Sequence, residues 1–303
     1  MKKVISVSLG SSKRDHEVQV PILGEDFLIA RRGTDGDFEA AVKLLGELDG
    51  EVDAIGLGGI DIYLYSLKNR YVLKEGLRLK QAVKRTPVVD GSGLKNTLER
   101  EVIGQLAEDP RFALEGKKVL MVSGLDRFGM AQAFVQAGCR MIYGDFLFSI
   151  GLAKPLYTLE ELEHYADKLL PLITELPIEF IYPTGKSQDK KDARPAPFGD
   201  YYREADIVAG DFHYIYKYMP SELPGKTVVT NTVTRENLKE LAQSGVKYLI
   251  TTTPEFSGRS FGTNVLEGVL LAILRKTPEE ISPEDYLKLI KELDLKPRIE
   301  ILN

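Results

Sequence analysis

The sequence of 303 residues holds one cysteine, Cys139, so no intrachain disulfide can form. That cysteine opens an apolar stretch, where a small buried residue fits better than a reactive thiol. With three histidines beside it, the usual Cys/His zinc site is not expected, and no metal is predicted. Long apolar runs are missing too. The longest, 269–274, falls far short of the roughly 18 residues that span a bilayer. The opening "MKKVISVSLG" starts basic, but its apolar part is short and alternates as a strand does. A cytoplasmic protein without a membrane partner is expected. Excess charge is small, at −5, and argues against a nucleic-acid partner, which calls for a basic face. There are no internal repeats.

The length suits two domains. In the first third, "KKVISVSL" and "EDFLIARR" alternate as strands, 37–48 repeats as a helix, and "VDAIGLGGID" is an apolar strand ending in glycines. "YLYSLKNRYVL" reads as a hairpin with Lys68 and Asn69 at its tip. "KEGLRLKQAVKR" reads as an amphipathic helix and "TPVVDGSG" as a strand and turn. Ser92 is placed to cap a helix over 94–106. A linker at 108–116 follows, and then the order becomes regular. Strands are predicted at 119–123, 140–143, 178–181, 206–209, 227–230 and 248–252, with helices at 128–137, 159–170 and 236–244. Their apolar runs suit strands buried on both faces of a parallel sheet. The predicted fold class is therefore α/β. An N-terminal α/β substrate domain (1–112) precedes a doubly wound Rossmann-type nucleotide-binding domain (113–275) and a C-terminal helical tail (276–303). Two helices are expected within 263–293, the second capped by Ser282. The polar segment 184–200 is long for a connection and reads as a solvated insertion or a lid over the cleft.

The turn in "KVLMVSGLDRFGMA" has the frame G-x-D-x-x-G-x-A, read as Gly124, Asp126, Gly129 and Ala131. In a dinucleotide fold the first glycine makes the turn, the second admits the pyrophosphate, and the third lets helix and strand pack closely. Asp126 stands at the second position and brings a carboxylate to a site built for a dianion. Either it caps the helix and leaves room for phosphate, with Arg127 as a partner, or it blocks the turn. Asp145 lies 21 residues past Gly124, where an acid accepts hydrogen bonds from an adenosine ribose. It would repel a 2′-phosphate, so NAD is favoured over NADP.

Ligands in open α/β sheets lie beyond the carboxyl ends of the strands. After the strand at 206–209 come Asp211 and His213, the latter a candidate acid or base. After the strand at 248–252, Arg259, Ser260, Thr263 and Asn264 are candidate ligand contacts, with Arg259 able to clamp a carboxylate. In the first domain the turns present Ser11 and Ser12, Asp61, and Asp90, Ser92, Lys95 and Asn96. Lys95 and Asp61 are the pair singled out for proton transfer, although a solvated lysine and a turn aspartate would look the same in sequence.

The domain order and the stretch "ADIVAGDF…LPGKTVVTNTV" resemble the two-domain dehydrogenases that include shikimate, quinate and methylenetetrahydrofolate dehydrogenases. "VSLGSSKRDH", "GSGLKNTLER" and "TTTPEFSGRSFGTN" resemble a bacterial group labelled quinate 5-dehydrogenase. Two features depart from the family. Asp126 breaks the glycine fingerprint, and the Asn-Val-Thr segment and Pro-His pair that precede the family's catalytic lysine do not precede Lys95. The resemblance implies an NAD-dependent oxidoreductase of a small polyhydroxy carboxylic acid, with Lys95 or His213 taking the hydroxyl proton. Ser11, Ser12, Asn96 and Arg259 would then hold the substrate. The alternative is a non-catalytic ligand- or nucleotide-binding protein on the same frame. A non-redox enzyme using a nucleotide is a third reading. A homo-oligomer is compatible with all three.

Overall fold

Successive residues of each strand in the second half are buried in opposite directions, as in a sheet covered on both faces. A computed structural model describes residues 1–181, 198–256 and 259–303. The strands, in chain order, are β1 (Lys2–Ser8), β2 (His16–Ile22), β3 (Glu25–Gly33), β4 (Ala54–Gly58), β5 (Tyr63–Tyr65), β6 (Arg70–Val72), β7 (Val88–Val89), β8 (Lys118–Met121), β9 (Arg140–Tyr143), β10 (Ile207–Ala209), β11 (Thr227–Thr230), β12 (Tyr248–Thr251), β13 (Glu255–Phe256), β14 (Arg259–Ser260) and β15 (Arg298–Ile301).

The first sheet runs β2-β3-β1-β4-β7, parallel except for the edge strand β2. Pro21 sits on that edge strand, where proline is tolerated. The second sheet runs β15-β12-β11-β10-β8-β9, five parallel strands with β15 antiparallel at one edge. Numbered from β8, its parallel part has the doubly wound order 2-1-3-4-5, so the crevice opens between β8 and β10. The α/β class with a doubly wound second sheet is what the structure has.

Two predicted elements differ. The predicted strand at 178–181 is a short helix, Ile178–Ile181, that docks on the first lobe, where the Ile178 N–H donates to Glu75 at 2.7 Å. The sheet reaches six strands at its opposite edge, where β15, an alternating stretch, pairs antiparallel with β12. The helix expected over 94–106 is broken at Thr97 into Ser92–Asn96 and Leu98–Glu108. Ser92 does not cap it; its hydroxyl donates to Asp90 instead. Most of 184–200 lies outside the described residues.

Three helices tie the lobes together. Thr263–Leu274 lays Val265, Val269 and Ala272 on the face of the first sheet formed by Val4, Phe27, Ile29 and Ala54. Its other side, through Leu266 and Leu270, joins the core of the second lobe. Leu159–Ile173 buries Ala166 and Leu170 among first-lobe residues, and its Asp167 accepts from Tyr71 and Asn69 of the hairpin. Leu98–Glu108 packs against Phe128–Gln136 of the second lobe.

Candidate functional site

The carboxyl ends of both sheets face one cleft of about 790 Å³. The first lobe supplies Ser6 and Ser8 from β1, Arg31 from β3, the Asp61 loop after β4, and Lys95. The second supplies Asp126 and Arg127 after β8, Asp211 to His213 after β10, and Asn231 after β11.

The floor is a chain of buried charges. Lys95 Nζ donates to Asp61 Oδ1 at 2.8 Å and Oδ2 at 2.9 Å, and to Asp126 Oδ1 at 2.6 Å. Arg127, only 1% exposed, bonds Glu99 through one terminal nitrogen and Asp211 at 3.1 Å through the other. Burial would strip charge from Lys95, but Asp126 and Asp61 outweigh it and raise the ammonium above its ordinary range. Burial pushes Glu99 up to about 7 against the pull of Arg127. Asp211 caps the helix Phe212–Tyr218 through the His213 N–H at 2.9 Å, and its other oxygen accepts from Asn231 at 3.0 Å.

The walls are partly aromatic. His16 stacks on Phe261 with ring centroids 4.5 Å apart, and Phe212 stacks on Tyr216 at 5.7 Å in the second lobe. Across the gap, Arg14 Nη1 lies 2.7 Å from His213 Nε2. A guanidinium can only donate, so the ring nitrogen is the acceptor in this contact.

The cleft thus brings together Lys95, Asp61, Asp126, Arg127, Asp211, His213, Thr263 and Asn264 from the sequence reading. The side chains of Arg259 and Ser260 lie outside what is described. Six other candidates do not line the cleft. Ser11 is buried and caps the turn Ser12–Arg14, while the Ser12 hydroxyl donates to Asp35. Asn96 donates back to the Ser92 carbonyl. Gly129 serves packing: a Cβ there would stand 2.6 Å from the Lys95 carbonyl oxygen.

Asp145 and Gly124 meet each other. The Asp145 carboxylate accepts from the N–H groups of Gly124 at 3.0 Å and Leu125 at 2.9 Å. The amides of the glycine turn are therefore held by the protein's own acid, and a dinucleotide phosphate would have to displace it. Burial pushes Asp145 up to about 6, opposed by these same N–H bonds. Asp126 does not cap the helix; it faces Lys95.

Sequence reasoning did not single out Arg31, Glu99 or Asn231. Arg31 had a signal, a cation ending an alternating strand at the sheet's carboxyl edge; it bonds Asp15 at 2.7 Å and Ser8 at 3.0 Å. Among the described residues, no cluster of His, Cys, Asp and Glu could hold a metal ion, and no helix is long and apolar enough to cross a membrane.

No curated protein matches the sequence. Solved structures of similar backbone include an ABC transporter solute-binding protein from Burkholderia multivorans, 11% identical with a TM-score of 0.40, covering 100% of this chain and 99% of the other. A periplasmic ribose ABC transporter from Conexibacter woesei is 9% identical with a TM-score of 0.36, covering 96% and 94%. A hetero-hexameric glutamate dehydrogenase from Thermus thermophilus is 13% identical with a TM-score of 0.42, covering 96% and 72%.

These findings correct the resemblance to shikimate and quinate dehydrogenases. Solute-binding proteins stand among the structural neighbours, and no family model of those dehydrogenases matches. The description as an oxidoreductase falls with it. The expected cytoplasmic location is corrected as well, since a periplasmic protein is among those neighbours. Residues 3–90 match the model of a domain of unknown function, DUF8753. Residues 93–302, more than half of the chain, match that of a second domain of unknown function, DUF8754, and the chain belongs to this family.

Proposed function

We propose that the protein binds a small, hydroxyl-rich molecule of low net charge in the cleft between its lobes, without chemical change to it. The observation that carries this reading is the pairing on the floor. Lys95 is met by Asp61 and Asp126, and Arg127 by Glu99 and Asp211, so these cations are already neutralised before a ligand arrives. A strongly anionic ligand seated on this floor would have to break ion pairs whose partners are buried, and removing a partner from such a pair costs about 3–5 kcal/mol. A hydroxyl, which donates and accepts at once, can join the network without breaking it. The volume suits a small ligand, and the His16–Phe261 and Phe212–Tyr216 stacks offer apolar walls to the carbon skeleton of a sugar or polyol.

The test is calorimetric titration with pentoses, hexoses and polyols, set against NAD, NADP and ATP. Saturable binding of a sugar or polyol is expected. At a hundredfold excess over its Kd such a ligand adds about 2.7 kcal/mol to stability. Saturable binding of the nucleotides with none of the sugars or polyols would overturn the reading.

A further inference from the structure

The floor of the cleft holds more carboxyl groups than cations. Around Asp61 stand Lys95 from the helix Ser92–Asn96, Asp126 from the turn after β8, and Asp90 from the turn after β7. Asp90 is held elsewhere: one oxygen accepts from the Ile62 and Tyr63 N–H groups, the other from the N–H and hydroxyl of Ser92. That leaves the Lys95 ammonium as the cation bonded to both aspartates, with side chains 8% exposed for Lys95, 9% for Asp61 and 5% for Asp126. Two buried carboxylates sharing one cation do not both ionise at neutral pH; one keeps its proton.

Geometry decides which. Asp126 has two cations, Lys95 Nζ at 2.6 Å and Arg127 Nε at 3.4 Å. Asp61 shares only Lys95 and has Asp90 as a further negative neighbour. We propose that Asp61 is the neutral carboxylic acid of the cleft floor and that Asp126 beside it is the ionised partner. The two carboxyl groups are hydrogen-bonded to each other, so the proton of Asp61 lies between them. The electrostatics agree. Burial, then the neighbouring carboxylates, raise Asp61 despite Lys95. Burial acts on Asp126 in the same sense, but Lys95 and Arg127 outweigh it and hold that carboxyl below its ordinary range. The state of Asp61 is read without any ligand, so it fails separately from the proposed function.

The experiment is carbon NMR of the full chain with aspartate labelled at its carboxyl carbon. At about pH 8 an ordinary aspartate is fully ionised, and Asp145, at about 6, has also lost its proton. A single protonated aspartate signal is expected to remain, to vanish in Asp61→Asn and to persist in Asp145→Asn. The inference is overturned by no protonated aspartate at that pH, by a signal that survives Asp61→Asn, or by one that disappears in Asp145→Asn. Should Asp61→Asn fail to fold, Asp61→Glu takes its place, because it keeps an acid there but removes the labelled aspartate carboxyl, and the signal is again expected to vanish.

Discussion

Replacing Gly56 by alanine should loosen the cleft and the fold together. Gly56 lies in β4, under the first turn of the helix Thr263–Leu274. A Cβ there would stand 2.6 Å from the Asn264 carbonyl oxygen and 3.0 Å from its carbonyl carbon, where ordinary contact begins at 3.4 Å. The neighbours are backbone, so no rotamer relieves the clash. The start of the helix must lift by about 0.8 Å, the difference between the 3.4 and 2.6 Å figures. Overpacking of this kind costs about 1–3 kcal/mol. Each kcal/mol lowers the melting midpoint by roughly 2 °C in a chain of this size. The lift also strains the Asn264 bond to the Ser6 hydroxyl at 2.7 Å, so ligand affinity should fall as well. Gly104 is the control. It is exposed in Leu98–Glu108 with nothing within 4 Å of an added Cβ, and Gly104→Ala should stabilise by about 0.4–1 kcal/mol. Urea denaturation at matched m-value measures both. Equal stability of Gly56→Ala and wild type, or shifts of the same sign in the two variants, would refute the reasoning.

Arg127→Met should destabilise by about 3–5 kcal/mol, because Glu99 and Asp211 stay buried without their cation. Adding Glu99→Met should recover part of that loss in the same urea assay, and strictly additive effects would contradict the coupling. Glu267, buried under the Gly91 turn, accepts that N–H at 2.6 Å and bonds the Tyr286 hydroxyl at 2.7 Å. Burial, then Asp90, pushes it up to about 8. Between its ordinary value of 4.5 and about 8 the folded chain keeps this proton while the unfolded chain has lost it, so stability falls as pH rises through that window. Glu267→Gln, neutral throughout, should flatten that fall in melting curves taken across the window; an unchanged slope would count against it.

The sequence showed the elements better than their partners. The parallel strands of the second half were legible because apolar runs of that length, separated by helices, have few other uses. The segment at 178–181 was not, since four mostly apolar residues suit a short helix as well as a strand, and docking on Glu75 settles the matter. The helix Thr263–Leu274 could be read, but not that it crosses to the other sheet. At the site, polar residues after strands pointed to Asp61, Lys95 and Asp211, because the sheet's carboxyl edge is where such turns meet. Glu99 gave no signal, being one acid in an amphipathic helix whose burial depends on Arg127 from another lobe. The glycine frame did not show that Asp145 holds the turn amides, because spacing carries no information on hydrogen-bond partners.

The crossing of Thr263–Leu274 to the first sheet bears on how this polypeptide could have arisen. A fragment ending at residue 90 would leave Val4, Phe27, Ile29 and Ala54 facing water, since the chain that covers them comes more than 170 positions later. The first half taken alone would lack the helix that covers this apolar face. During synthesis the apolar face of the first sheet gains its cover only when the last quarter of the chain emerges.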